Sequence, residues 1–293
     1  MNPRRVSTIE SNNFPVPLLN VVIQNDTLAP PLLGLCAGYE RGAWRSAQFA
    51  EYLTEWLLDF VFSEDEQQKL TSFSARRALR KAASQIYNTE KYGRRGEFGE
   101  LLLHVVLRQY FETLPAIRKI YFKDSLNDTV KGFDAVHVVA DPTSGDLELW
   151  LGEVKFYTDL GSAIRDVCNE LRAHAATDYL RTEFTLILNK VPHGFPYADR
   201  LQTLLDPTTS LDNVFARIRV PILLTYDSAV TGQHTAHTKR YMKEIADELL
   251  AAHSKFAGEE TPIELVIHLV LVPLATKAAL VEALHDKLKG MQT

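Results

Sequence analysis

The chain has 293 residues, 46% of them hydrophobic, enough to bury one large core or a core plus a smaller domain. A net charge of −5 and a pI near 6.0 exclude a protein that grips duplex nucleic acid by bulk charge, so such contacts must be local or supplied by a partner. The N-terminus lacks a signal-peptide segment, no stretch nears the roughly 20 apolar residues of a membrane span, and Cys36 and Cys168 show no ligand spacing, which predicts a cytoplasmic protein with reduced thiols.

Residues 1 to about 35 are Pro-rich and irregular, apart from a strand predicted over 18–24. A helix follows from Ser46 to about Phe62, with Phe49, Leu53, Trp56 and Phe60 on one face. Ser63-Glu64-Asp65-Glu66 has the form of a capping box and opens a second helix reaching about Tyr87. Its Arg76-Arg77-Ala78-Leu79-Arg80-Lys81 cluster is a candidate local contact to nucleic-acid phosphate, against the simpler account of a solvated basic face. These elements make an N-terminal irregular and helical region, 1–90, ahead of a second region, 91–293.

Gly96-Glu97-Phe98-Gly99-Glu100 then leads into Leu101-Leu102-Leu103-His104-Val105-Val106-Leu107, a buried helix to about Phe111. Glu97 and Glu100 share a face at its start. Carboxylates there complement the helix dipole. Glu100 is preferred for a functional role because the Leu stripe runs from its neighbours into the core. Strands are predicted at 117–122, 132–140, 147–156, 184–188, 220–226 and 264–274, and helices at 160–181, 197–205, 236–256 and 276–289. This is an α/β pattern, a mixed β-sheet flanked by helices.

Two of these strands carry the chemistry. Asp141-Pro142-Thr143-Ser144-Gly145-Asp146 is an explicit turn, and folding about the Thr143–Ser144 bond sets Asp134 opposite Glu153. Strand alternation puts Lys155 on the face of Glu153, beyond Val136, Val138 and Ala140 paired with Leu151, Leu149 and Leu147. An apolar face therefore ends in Asp, Glu and Lys. Opposed Cβ atoms lie roughly 5 Å apart, so two carboxylates there repel by about 3 kcal/mol at an effective dielectric near 20. A divalent cation taking oxygens from both offsets that repulsion, and the lysine beside it orients a water or meets developing negative charge. The plainer account is a solvated hairpin end with a cross-strand charge pair. The paired register, the apolar remainder of the face, and glycines at Gly132 and Gly152 weigh against it.

In the following helix, Leu160, Ile164, Val167 and Leu171 form the packing stripe, while Ser162, Arg165, Asn169 and Arg172 recur on another face. Arg165 and Asn169, with Arg94 and Arg95 beside the acidic helix, are candidate contacts to substrate phosphate, against the simpler account of solvated faces. His234 and His237 lack a third ligand nearby and read as surface residues. The chain has no phosphate-cradling Gly-rich loop, helicase motif or nucleophile elbow, so it cannot itself drive strand separation.

An acidic helix, then Gly132-Phe133-Asp134, then Gly152-Glu153-Val154-Lys155-Phe156, then a further helix, resembles the core of the PD-(D/E)XK nuclease superfamily. With Gly96-Glu97-Phe98-Gly99-Glu100 and Ala37-Gly38-Tyr39-Glu40, the chain is similar more specifically to the HamA-type nuclease subunit of the Hachiman anti-phage system. Phe133 stands where the superfamily name has Pro. The resemblance implies a DNA-cleaving phosphodiesterase using Mg2+, or Mn2+ in its place. It implies that Glu100, Asp134 and Glu153 hold the metal, that Lys155 is the catalytic lysine, and that a companion helicase, HamB-like, engages the DNA. Two other readings stay open: a catalytically inactive interaction subunit of the same complex, and a stand-alone restriction-type endonuclease.

Overall fold

A computed structural model of the chain describes residues 14–86, 96–118, 132–141, 145–174, 177–192, 194–261 and 265–292. Strands β1 (Asn20–Asn25) and β2 (Leu32–Cys36) come first, then a ribbon of β3 (Tyr39–Glu40) and β4 (Ala43–Trp44). Helices α1 (Ser46–Glu55), α2 (Leu57–Val61), α3 (Glu64–Gln68), α4 (Ala75–Ile86) and α5 (Gly96–Phe111) follow, then the short β5 (Leu114–Pro115). The hairpin is β6 (Ala135–Ala140) and β7 (Leu147–Phe156), succeeded by α6 (Leu160–His174), α7 (Thr177–Lys190), α8 (Ala198–Leu205) and α9 (Leu211–Phe215). Strand β8 (Ile218–Asp227), α10 (Ala229–Gln233), α11 (Lys239–Ala257), β9 (Val266–Leu274) and α12 (Lys277–Gln292) complete the chain.

Seven strands form one mixed sheet in the order β1-β2-β9-β8-β7-β6-β5. β2, β9, β8 and β7 run parallel, and the edges are antiparallel. Helices cover both faces, so the middle strands are apolar on both sides. On one face, Leu102, Val105, Trp56 and Leu284 pack over Val139, Trp150, Val154, Phe156, Leu223 and Val270. On the other, Ile164, Val167, Leu171, Ile245 and Leu249 pack over Val136, Val138, Leu149, Leu151, Leu224 and Leu271. The fold is α/β with a mixed sheet flanked by helices, as the sequence predicts.

Several boundaries differ from expectation. The 46–62 helix divides at Trp56, whose N–H bonds to Leu53 O at 3.2 Å and tightens the turn. The capping box at Ser63 and Glu66 is present, but its helix stops at Gln68. Thr71 N–H donates to Ser74 Oγ at 2.8 Å, a local side-chain bond that competes with the helix ladder before α4 begins. The expected strand at 184–188 lies inside helix α7, where Leu180, Phe184 and Ile187 are buried at helical spacing. The helix expected over 160–181 is two helices. Most of the expected 117–122 strand lies outside the described residues. Residues 32–36, within the stretch read as irregular, form the buried strand β2 beside β9.

Helix α5 lies close against β7 because two glycines allow it. A Cβ on Gly99 would stand 2.9 Å from Phe156 Cβ, and one on Gly152 2.9 Å from Leu103 Cδ2. A buried ionic network ties α2 to α5 nearby. Asp59 Oδ2 lies 2.8 Å from His104 Nε2 and 2.9 Å from Arg108 Nε, and Arg118 Nη1 stands 3.3 Å from Oδ1. Burial raises the Asp59 pKa, but Arg118, His104 and Arg108 outweigh it and hold the carboxyl well below its ordinary range.

Candidate active site

The hairpin pairs in the predicted register: Ala135 faces Gly152, Val136 faces Leu151 and Ala140 faces Leu147. Asp134, one step before β6, turns its Oδ2 to accept the Val154 N–H at 2.9 Å. The ladder ends at Ala135 and Gly152, and Asp134, just beyond it, lies close enough to Glu153 for its charge to raise the Glu153 pKa. Leu149 and Leu151 point to the α6 side of the sheet, so Glu153 and Lys155 do too. Both are buried, with 2% and 8% of their surface exposed.

Charge here is tightly constrained. Burial first, then the Asp134 carboxylate, pushes the Glu153 pKa well above the ordinary range, against the pull of Lys155. Burial alone would lower the Lys155 pKa, yet Glu170, Glu153 and Asp134 more than compensate and keep it a firm ammonium. Glu170 on α6 forms an ion pair with the Lys155 Nζ. One turn on, His174 Nδ1 approaches Glu153 Oε1 to 3.0 Å without hydrogen-bond alignment. One turn earlier, Asp166 Oδ2 accepts from Tyr157 OH at 2.9 Å. Asp166, Glu170 and His174 thus form a stripe, spaced by four, that α6 turns toward the strand end.

Glu170 and His174 join the site beyond the residues expected from the sequence, where their only signal is that spacing of four from Asp166. Arg165 and Asn169 are exposed instead. Arg165 Nη2 donates to Ser162 Oγ at 2.9 Å and Arg172 Nη1 to Asn169 Oδ1 at 2.9 Å, all within α6. Arg94 and Arg95 lie outside the described residues. Arg76, Arg77, Arg80 and Lys81 are exposed on α4, with the Lys81 ammonium 5.1 Å from the centre of the Phe62 ring. His234 is taken by Glu244, 2.7 Å away. Glu100 and Glu97 are both half-buried at the start of α5, on the opposite face of the sheet from the Glu153 side chain.

Among the described residues, no group of three or more His, Cys, Asp or Glu side chains is arranged to hold a metal ion. The donor chemistry nevertheless fits a hard divalent cation. Two carboxyls meet at one strand end, and Glu153 Oε1 is fully buried without a hydrogen-bond partner among the described residues. A cation there would relieve both the repulsion and the orphaned oxygen. Among the described residues, no helix is long and apolar enough to cross a membrane. The family model described as HamA matches residues 14–288. No curated protein matches the chain.

Proposed function

We propose that this chain, which belongs to the HamA family, is a metal-dependent deoxyribonuclease acting as effector of a two-component anti-phage system. Membership in HamA points to a role in Hachiman defence. The nuclease chemistry rests on the convergence of Asp134, Glu153 and Lys155 at the end of one hairpin. No other grouping described above combines a buried and a half-buried carboxyl with a buried ammonium at one end of a hairpin.

Asp134 and Glu153 are the residues that would hold a magnesium or manganese ion, whereas Glu100, expected from the sequence to join them, starts a helix on the opposite face of the sheet. When bound, the ion would lower the pKa of a water so that hydroxide is available to attack phosphorus, and would supply positive charge at the phosphoryl oxygens. Lys155, kept protonated and pinned by Glu170, orients the attacking water and faces the charge that builds on a non-bridging oxygen. Burial of Glu153 and Lys155 excludes bulk water and strengthens these interactions. Arg94, Arg95, Arg165 and Asn169 are proposed to contact backbone phosphates. With a net charge of −5 and no ATP-binding motif, the chain depends on a companion helicase, HamB-like, to engage and open DNA.

The test is cleavage of plasmid and linear DNA by the chain, alone and with its helicase, in magnesium and in EDTA, beside Glu153→Ala/Lys155→Ala. Magnesium-dependent cutting lost in the variant is the expected result. No cutting under any condition would leave an inactive interaction subunit of the same complex. Cutting at a defined sequence by a dimer without helicase would leave a restriction-type enzyme.

A further inference from the structure

Resting on the metal-dependent reading above, we propose that His174 is itself a ligand of the cation, through Nδ1, beside Glu153 Oε1. Both atoms are wholly shielded from solvent and neither has a hydrogen-bond partner among the described residues, although they face each other at 3.0 Å. Buried polar atoms are nearly always satisfied, so two orphans in mutual contact call for a third body that both can bind. Their separation suits one. Adjacent donor atoms in an octahedral shell, each about 2.1 Å from the ion, stand about 3.0 Å apart.

The imidazole is also held rigidly. It stacks on Tyr179 with ring centres 4.5 Å apart and planes 9° from parallel, and it meets the edge of Phe133, the residue before Asp134, at 4.9 Å. With 8% of its surface exposed, the ring has little room to turn away from Glu153. A ligand pre-set in this way loses little freedom when the ion arrives. Two protein donors suffice, because ions of this class complete their shell with waters and substrate phosphate oxygens. A nitrogen donor among carboxylates shifts preference from magnesium toward manganese.

Electron paramagnetic resonance of Mn2+ bound to the full chain tests the assignment without any substrate. Titration should give a bound Mn2+ population in the wild type, and pulsed spectra should show coupling to a directly coordinated 14N nucleus. Labelling histidine with 15N should convert that coupling to the 15N pattern. His174→Gln, checked for folding by circular dichroism, should abolish it and weaken Mn2+ binding at least tenfold. Bound Mn2+ without nitrogen coupling, or coupling that persists in His174→Gln, overturns the role of His174 and leaves the metal-dependent reading standing. No bound Mn2+ at all overturns both. The labelling result stands even if the variant fails to fold.

Discussion

Replacing Glu153 with Gln removes one of two facing carboxyls while keeping its volume and one carbonyl oxygen. Directly opposed strand residues have Cβ atoms roughly 5 Å apart, and two charges at that distance repel by about 3 kcal/mol at an effective dielectric near 20. Attraction from Lys155 makes this a ceiling. The same repulsion, added to burial, lifts the Glu153 pKa. In EDTA, Glu153→Gln should therefore be more stable than the wild type by up to about 3 kcal/mol, a rise of about 6 °C at roughly 2 °C per kcal/mol. Magnesium at 100 times its Kd should stabilise the wild type by about 2.7 kcal/mol and the variant hardly at all, closing the gap. Calorimetry of both proteins in EDTA and in magnesium measures this. A variant less stable than wild type in EDTA, or an equal magnesium shift in both, would refute the electrostatic account of the site.

Three further outcomes follow from the geometry. Glu170→Ala strips Lys155 of its ion pair and should cut cleavage by about 10- to 100-fold while leaving stability nearly unchanged, since 44% of the Glu170 side chain is exposed; full activity would free Lys155 from that control. Burial pushes the His104 pKa down to about 4, below its ordinary 6.5, so the unfolded chain binds the extra proton and stability rises with pH across that window. The His104 contribution should therefore fall by about 3 kcal/mol from pH 7 to pH 4, read as the difference between the urea-unfolding profiles of wild type and His104→Gln, and parallel profiles would contradict it. Gly99→Ala places a Cβ 2.9 Å from Phe156 Cβ and 3.1 Å from Val154 Cγ2, which should cost about 1–3 kcal/mol; an unchanged melting temperature would mean that α5 does not press on β7.

The hairpin was legible because two independent signals agree. Pro, Gly, Ser and Asp mark the turn, and a period of two on both sides leaves a single register that buries one apolar face. Elsewhere local composition misled. Phe184-Thr185-Leu186-Ile187-Leu188 reads as a strand taken alone, and its helical character emerges only with Leu180, which extends the buried positions to a spacing of four and three. The reverse holds for Leu32-Leu33-Gly34-Leu35-Cys36. Its burial on both faces of the sheet leaves no alternation to detect, and the prolines before it suggest a loop.

At the site, Asp134, Glu153 and Lys155 come directly from the hairpin, whereas Glu170 and His174 needed the helix to be rotated correctly. Each residue turns an α-helix by about 100°, so Ser162, Arg165, Asn169 and Arg172 centre on a side about 150° from the stripe of Ile164, Val167 and Leu171. A face opposite the packing stripe cannot reach the strand on which that stripe packs. Asp166, Glu170 and His174 fall on the flank of the stripe, and only a flank can bring long polar side chains to the end of β7 while the stripe stays buried. The partners follow that geometry: Glu170 holds Lys155, and His174 faces Glu153. Arg165 and Asn169 can therefore meet DNA only along the outer surface of α6. The groups on the flank sit between that helix and the carboxylates, where they act on the site itself.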